Sequence, residues 1–328
     1  MLENPRISMY WASSCGGCEI ALVNLNEKIL EVDRHVDFIF CPCLLDTKYK
    51  DVEALDDGAI AITFFNGAIR TGENEQMARL LRRKSALLIA FGSCSSEGCI
   101  PALSNLSTRA EHIRTNYLAG PSLDNPAGIV PQALTRAPEG ELALPSFFEG
   151  VKTLSEIVEV DYVLPGCPPE SQQVWGVLES VVQGEPLPPR HSVLGAGNST
   201  VCDECGKLKD KKSVSRFHRT YEIIPDPRRC LLEQGIVCMG VGTRDGCGAL
   251  CPQVNMPCSG CYGPPDGVAD SGAKMLSALS SVLDVGGYGG LTEDQVADKA
   301  DTILAAIPDP AGTFYQYSLA GSLLRKAR

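Results

Sequence analysis

The chain has 328 residues, enough for about two domains and a substantial apolar core. Its 29 Lys and Arg against 40 Asp and Glu leave a net charge of −11, the wrong sign for holding a polyanion by counterion release, so nucleic acid is not an expected partner. The hydrophobic share of 44% is that of a globular protein, and no apolar run approaches the ~20 residues that span a bilayer, so no membrane insertion is expected.

From residue 6 to about 184, short apolar runs alternate with helical stretches, the pattern of an α/β fold. Residues 6–12 read as a first strand, 19–31 as a helix with Leu22, Leu25 and Ile29 on one face, and 36–41 as a second strand. Two further strands, 59–65 and 86–91, flank a helix at 75–83, and 160–164 is the fifth. Pro168 and Pro169 suit a first helical turn, where a missing amide hydrogen costs nothing, and 172–182 continues that helix. A doubly wound parallel sheet follows. Between 105 and 148 the periodicity lapses and Pro121, Pro126, Pro131, Pro138 and Pro145 punctuate the chain, a long insertion that either contacts another subunit or lies on the surface. From 195 to about 265 Cys, Gly and charged residues dominate, as expected where metal rather than an apolar core organises the chain. Two helices close the pattern: 273–283 places Met275, Leu276, Leu279 and Val282 at helical spacing, and Thr292 with Gln295 forms a capping box ahead of Val296, Ile303 and Ile307.

Eight of the 15 cysteines fall between Cys202 and Cys261. Disulfide frameworks belong to secreted chains, but residues 1–12 show no basic start, apolar core, cleavage site or twin Arg. The chain therefore reads as cytoplasmic and its clustered thiols as metal ligands. Cys15 and Cys18 in SSCGGCE, Cys94 in FGSCSSEG and Cys167 in LPGCPPE each stand just past the carboxyl end of an expected strand. Such ends share one edge of an open α/β sheet, where four thiolates from three loops can close a tetrahedral or cubane site. The neighbouring Gly16, Gly17, Gly92, Gly98 and Gly166 let backbone pack closely and leave amide hydrogens for sulfur. Ordinary buried thiols, the plainer alternative, have no reason to gather at loop starts. Further on, Cys202-x-x-Cys205, Cys230, Cys238, Cys247, Cys251 and Cys258-x-x-Cys261 divide into two groups of four, enough for two clusters or two zincs. A zinc ribbon would use the two C-x-x-C knuckles and ignore the thiols between them, so iron–sulfur fits better.

In order and relative position, SCGGCE, GSCSSEG, PGCPPE and CPQVNMPCSGCYGP resemble the signatures of the small, electron-transferring subunit of NiFe hydrogenases, over nearly the whole length. Cys202 where exported members carry a His ligand, and the stretch DSGAKMLSAL, resemble the cytoplasmic, methyl-viologen-reducing type associated with heterodisulfide reductase. The resemblance implies a flavodoxin-like domain at 1–190 with a proximal 4Fe-4S cluster on Cys15, Cys18, Cys94 and Cys167. It implies an irregular, ferredoxin-like two-cluster domain at 191–265 and a helical tail at 266–328. The distal 4Fe-4S cluster falls on Cys202, Cys205, Cys230 and Cys238, and the medial one on Cys247, Cys251, Cys258 and Cys261, with the division of the middle thiols left open. Cys247 supplies the fourth medial thiolate, so all three clusters are expected as 4Fe-4S. The implied activity is that of a hydrogenase subunit with no nickel ligands of its own. Its implied partners are a NiFe large subunit, a small iron–sulfur adaptor and a heterodisulfide-reductase-type complex.

Three thiols stay unassigned. Cys99, where relatives show a second Gly, reads as a small buried residue or else a spare ligand or redox thiol; Cys41 and Cys43, split by Pro42, are spaced awkwardly for chelation. Glu19 is a candidate proton relay, its plainer role being a carboxylate favoured at a helix start. Lys207, Lys209, Lys211, Lys212, Arg216, His218 and Arg219 form a basic run that either steers an acidic redox partner or is a solvated loop. No phosphate-loop or dinucleotide glycine motif is present, and His35, His112, His191 and His218 show no ligand spacing. Two other readings remain. One is a zinc-stabilised scaffold; the other is the cluster-bearing subunit of a quinone-reductase-like respiratory complex, which usually carries adjacent cysteines where this chain has Cys15-x-x-Cys18.

Overall fold

A computed structural model describes residues 4–210, 213–286 and 291–324. They divide into two compact units, one of residues up to 194 together with 319–324, the other Gly195–Ser318. The helices expected as a separate tail from 266 thus belong to the second unit, while the closing stretch joins the first.

The first unit contains nine strands: β1 (Arg6–Trp11), β2 (Asp37–Phe40), β3 (Ile60–Asn66), β4 (Ile69–Thr71), β5 (Ser85–Phe91), β6 (Leu134–Ala137), β7 (Gly140–Ala143), β8 (Phe147–Lys152) and β9 (Tyr162–Leu164). Five of them form one parallel sheet in the order β2-β1-β3-β5-β9, the doubly wound arrangement expected from the sequence. Strand residues alternate between two cores. Ile62, Phe64, Ile89 and Phe91 pack with helices Gly17–Val23 and Ser171–Gln183, whereas Phe65, Leu88 and Ala90 pack with Met77, Ala78 and Leu81 of helix Gly72–Lys84. Each fully buried Phe of this set contributes about 1.5–3 kcal/mol of apolar transfer.

Local chemistry sets the ends of these elements. Thr71 caps its helix by accepting from the Asn74 amide at 3.2 Å. The helix expected over 19–31 is instead two helices, Gly17–Val23 and Ile29–His35, separated by a short 3-10 turn in which Asn26 takes φ 54°. Pro168 and Pro169 precede helix Ser171–Gln183 and do not form its first turn. The insertion 105–148 is not structureless: it holds helix Arg109–Ile113 and the exposed hairpin β6–β7, and it leads into β8, which pairs antiparallel with β4. The returning stretch at 319–324 seats on the loop after β5. The Gly321 amide donates to the Glu97 carbonyl at 3.3 Å, and a Cβ on Gly98 (φ +86°) would lie 2.5 Å from that of Ala320.

The second unit has short helices and, among the described residues, no strand beyond isolated bridges. Val201, Phe217, Leu231, Ile236, Met239, Met275, Leu279, Phe314 and Tyr315 are buried in it. Asp270 caps helix Ser271–Ser280 through the Ala273 amide at 2.8 Å, and Gly272 lies under the Tyr315 ring, where a Cβ would collide. The Thr292–Gln295 capping box forms as the sequence predicts, opening helix Glu293–Leu304. No helix among the described residues is long and apolar enough to cross a membrane.

Candidate metal centre

The carboxyl ends of β1, β5 and β9 bring Cys15, Cys18, Cys94 and Cys167 together. Gly16, at φ 83°, opens helix Gly17–Val23 and places Cys18 in its first turn; Gly92, at φ 81°, does the same for Cys94 in helix Ser93–Glu97. The loops after β5 and β9 are tied by Gly92 N to Leu164 O and Ser93 N to Gly166 O, both 2.8 Å. A Cβ on Gly92 would run into Cys18 Sγ, so no other residue fits there. Burial first, then the charges of Glu19, Cys94, Cys167 and Cys15, push the Cys18 thiol far above its ordinary range. A thiol so buried resists ionising unless a cation sits beside it, which is the condition a metal-bound Cys18 satisfies.

A fifth thiol joins this group. Cys99, 1% exposed and at φ 50°, donates to Cys167 Sγ at 3.6 Å, and that hydrogen bond brings Cys167 down to about 7 against the opposing effect of burial. Sequence spacing gives no sign of this approach, which depends on the left-handed turn at Gly98 and Cys99. Glu19 is buried, with both carboxylate oxygens 2.7 Å from Asn66 Nδ2 at the end of β3. Cys41 and Cys43 follow β2 on the same edge, with their sulfurs 3.4 Å apart.

In the second unit Cys202, Cys205, Cys230 and Cys238 line one small void of about 20 Å³. Cys202 enters it from helix Val201–Glu204, and burial followed by Cys238 raises its thiol to about 12. Gly240 keeps the wall thin, since a Cβ there would lie 3.1 Å from Cys202 Sγ. Two residues of the basic run are spent on this loop: Lys209 donates to the Cys202 carbonyl, and Lys207 to Pro227 O at 2.6 Å and Asn255 Oδ1 at 2.9 Å. Arg216 and Arg219 are exposed and His218 faces Glu222 at 3.7 Å, while Lys211 and Lys212 lie outside the described residues. The remaining cysteines are brought together less completely. Cys258 lies within electrostatic reach of Cys261 and also of Cys238, whose sulfur accepts the Cys258 amide at 3.3 Å. Cys247 Sγ faces Glu204 Oε1 at 3.6 Å, and Cys251 is exposed. Among the described residues no three Cys, His, Asp or Glu side chains converge tightly enough for a single metal ion.

The family described as NADH ubiquinone oxidoreductase, 20 Kd subunit, matches residues 15–181. The iron-sulfur subunit of the F420-non-reducing hydrogenase of Archaeoglobus profundus is 37% identical over 327 residues, covering 98% of each chain. A subunit of the F420-non-reducing hydrogenase of Methanothermobacter marburgensis is 33% identical over 99% of this chain and 97% of its own. In fold, the chain is similar to one from the Dm. baculatum [NiFeSe]-hydrogenase, with a TM-score of 0.50 at 20% identity over 80% of this chain and 95% of that one. The 20 Kd match ends before the second unit begins, whereas the two F420-non-reducing hydrogenase subunits align through both units, cysteine-rich segment included. The chain belongs to the family of F420-non-reducing hydrogenase iron-sulfur subunits.

Proposed function

We propose that this chain is the electron-transferring small subunit of a NiFe hydrogenase, conducting one electron at a time through three 4Fe-4S clusters between the NiFe site of a large subunit and an external redox partner. The observation that carries the reading is the gathering of Cys15, Cys18, Cys94 and Cys167 at one sheet edge, with Gly92 shaped around the Cys18 sulfur. These four hold the proximal cluster, Cys202, Cys205, Cys230 and Cys238 the distal one, and Cys247, Cys251, Cys258 and Cys261 the medial one. A 4Fe-4S cluster, when bound, supplies reversible one-electron redox chemistry.

The donor set fits such a group. It is all thiol, and it is supported by glycines. The polypeptide's part is to fix the thiolates, exclude water and tune potential through amide hydrogen bonds and burial. Cys99, donating to Cys167, belongs to that tuning layer. Glu19, held by Asn66, is the carboxylate placed to hold a proton beside the proximal thiols. A cytoplasmic setting, a small iron–sulfur adaptor and a heterodisulfide-reductase-type complex complete the proposal.

Anaerobic purification with iron, acid-labile sulfide and zinc analysis tests it. About twelve iron atoms per chain, with paramagnetic signals after dithionite, are expected; zinc in their place, or a colourless and magnetically silent protein, rejects it. A large subunit should copurify.

A further inference from the structure

We infer that Cys41 and Cys43 form a second redox site, separate from the clusters: a dithiol that exchanges with low-molecular-weight disulfides and closes on itself. The two thiols follow β2 directly and flank Pro42. Their sulfurs are already 3.4 Å apart. A turn in which the Leu44 and Leu45 amides both donate to the Cys41 carbonyl, at 2.9 and 2.8 Å, fixes the backbone around them. The pair is also asymmetric, Cys41 being 1% exposed and Cys43 open to solvent. Burial and the adjacent Cys43 raise the Cys41 thiol to about 12, so the inner sulfur keeps its proton until a partner arrives. Neither residue belongs to the three proposed ligand sets.

The chemistry balances without any cluster. The Cys43 thiolate attacks one sulfur of a disulfide R–S–S–R; a protein–S–S–R bond forms, the original S–S bond breaks, and the departing thiolate takes up the proton that Cys43 released. Cys41 then loses its proton and attacks Cys43 Sγ, forming the intramolecular bond and expelling the second R–SH. The two protein thiols give up two electrons in all, and one small disulfide becomes two thiols. A ring closed over one residue is strained, which places the couple among the readily reduced, exchange-active disulfides.

The tryptic peptide from His35 to Lys48 contains these two cysteines and no others, so it isolates the site. The full-length, cluster-loaded protein is equilibrated anaerobically with graded ratios of glutathione disulfide to glutathione, denatured, alkylated with iodoacetamide and read by peptide mass spectrometry. As the ratio climbs, both alkyl groups should vanish together and leave a peptide lighter by two hydrogen atoms. Cys41→Ser should stop at a glutathione adduct on Cys43. Cys43→Ser, an exposed change, should leave Cys41 free of adduct and the iron content unaltered. Two alkyl groups at every ratio, or equal adducts at Cys41 and Cys43 in the two variants, overturn the inference; the iron analysis stands apart from either result.

Discussion

The two units reach a fixed shape by different means. In the first, Phe64, Phe65, Leu88, Ile89 and Phe91 pack on both faces of a five-stranded sheet, and the cysteines are additions to the edge of something that apolar burial has already built. In the second, regular structure is sparse and eight thiols run through the chain where strands would otherwise run. Under the proposed function, one protein uses the same ligand chemistry as a passenger on a packed sheet in one place and as a support for sparse regular structure in another.

Stripping iron under reducing conditions should separate the two most widely. Structural metal contributes about 10 kcal/mol or more to small domains with little regular structure. Hydrogen exchange should therefore collapse toward the unfolded rate across 195–265 while β1, β3 and β5 keep their protection; equal loss in both units would erase the contrast. Next in size, Phe91→Ala should cost about 3–5 kcal/mol. Phe91 is fully buried and meets Phe64 edge-on at 5.5 Å, so the loss should show in the sheet's unfolding transition and leave exchange in the second unit unchanged.

Legibility in the sequence follows the same division. The five parallel strands and the order of their loops are readable because β-branched and aromatic runs bury on both faces, and each expected strand lies within about two residues of the one found. The helix over 19–31 misleads for a physical reason: Leu22, Leu25 and Ile29 keep helical spacing across a backbone break at Asn26, so side-chain periodicity survives where the hydrogen-bond ladder does not. The proximal thiols are legible as loop-start residues. Cys99 is not, because its approach to Cys167 depends on two consecutive left-handed residues that a spacing of five hides. In the second unit the thiols and the helices opened by Asp270 and Thr292 are readable, but the contacts between them are not, since glycines such as Gly240 and Gly272 act through what they leave out.

Smaller effects sharpen the comparison within the second unit. Tyr315, buried and then opposed by Asp270, has its hydroxyl raised from 10.0 to about 12. A neutral form favoured by folding contributes stability that is whole below pH 10 and is lost as pH rises toward 12. Tyrosinate absorbance should show a tyrosine ionising above pH 10 that Tyr315→Phe removes, and that variant should flatten the alkaline fall in stability; no change in the titration would show that the helices around Tyr315 are not a packed core. Least of all, Thr292→Ala should cost about 1 kcal/mol, read as faster exchange confined to helix Glu293–Leu304. A loss that spread into the cysteine segment would mean that the helices and the thiols unfold as one.

The seating of Ala320 and Gly321 on Gly98 and Glu97 also sets a timetable for biogenesis. The ribosome makes Cys94 and Cys99 early, yet the residues that clasp their loop emerge more than 200 positions later, a delay on the order of ten seconds or longer at ordinary elongation rates. Throughout that interval the loop that carries Cys94 and Cys99 lacks its clasp. The proposed proximal cluster thus has a window in which to be seated before the last turn of chain closes over that loop.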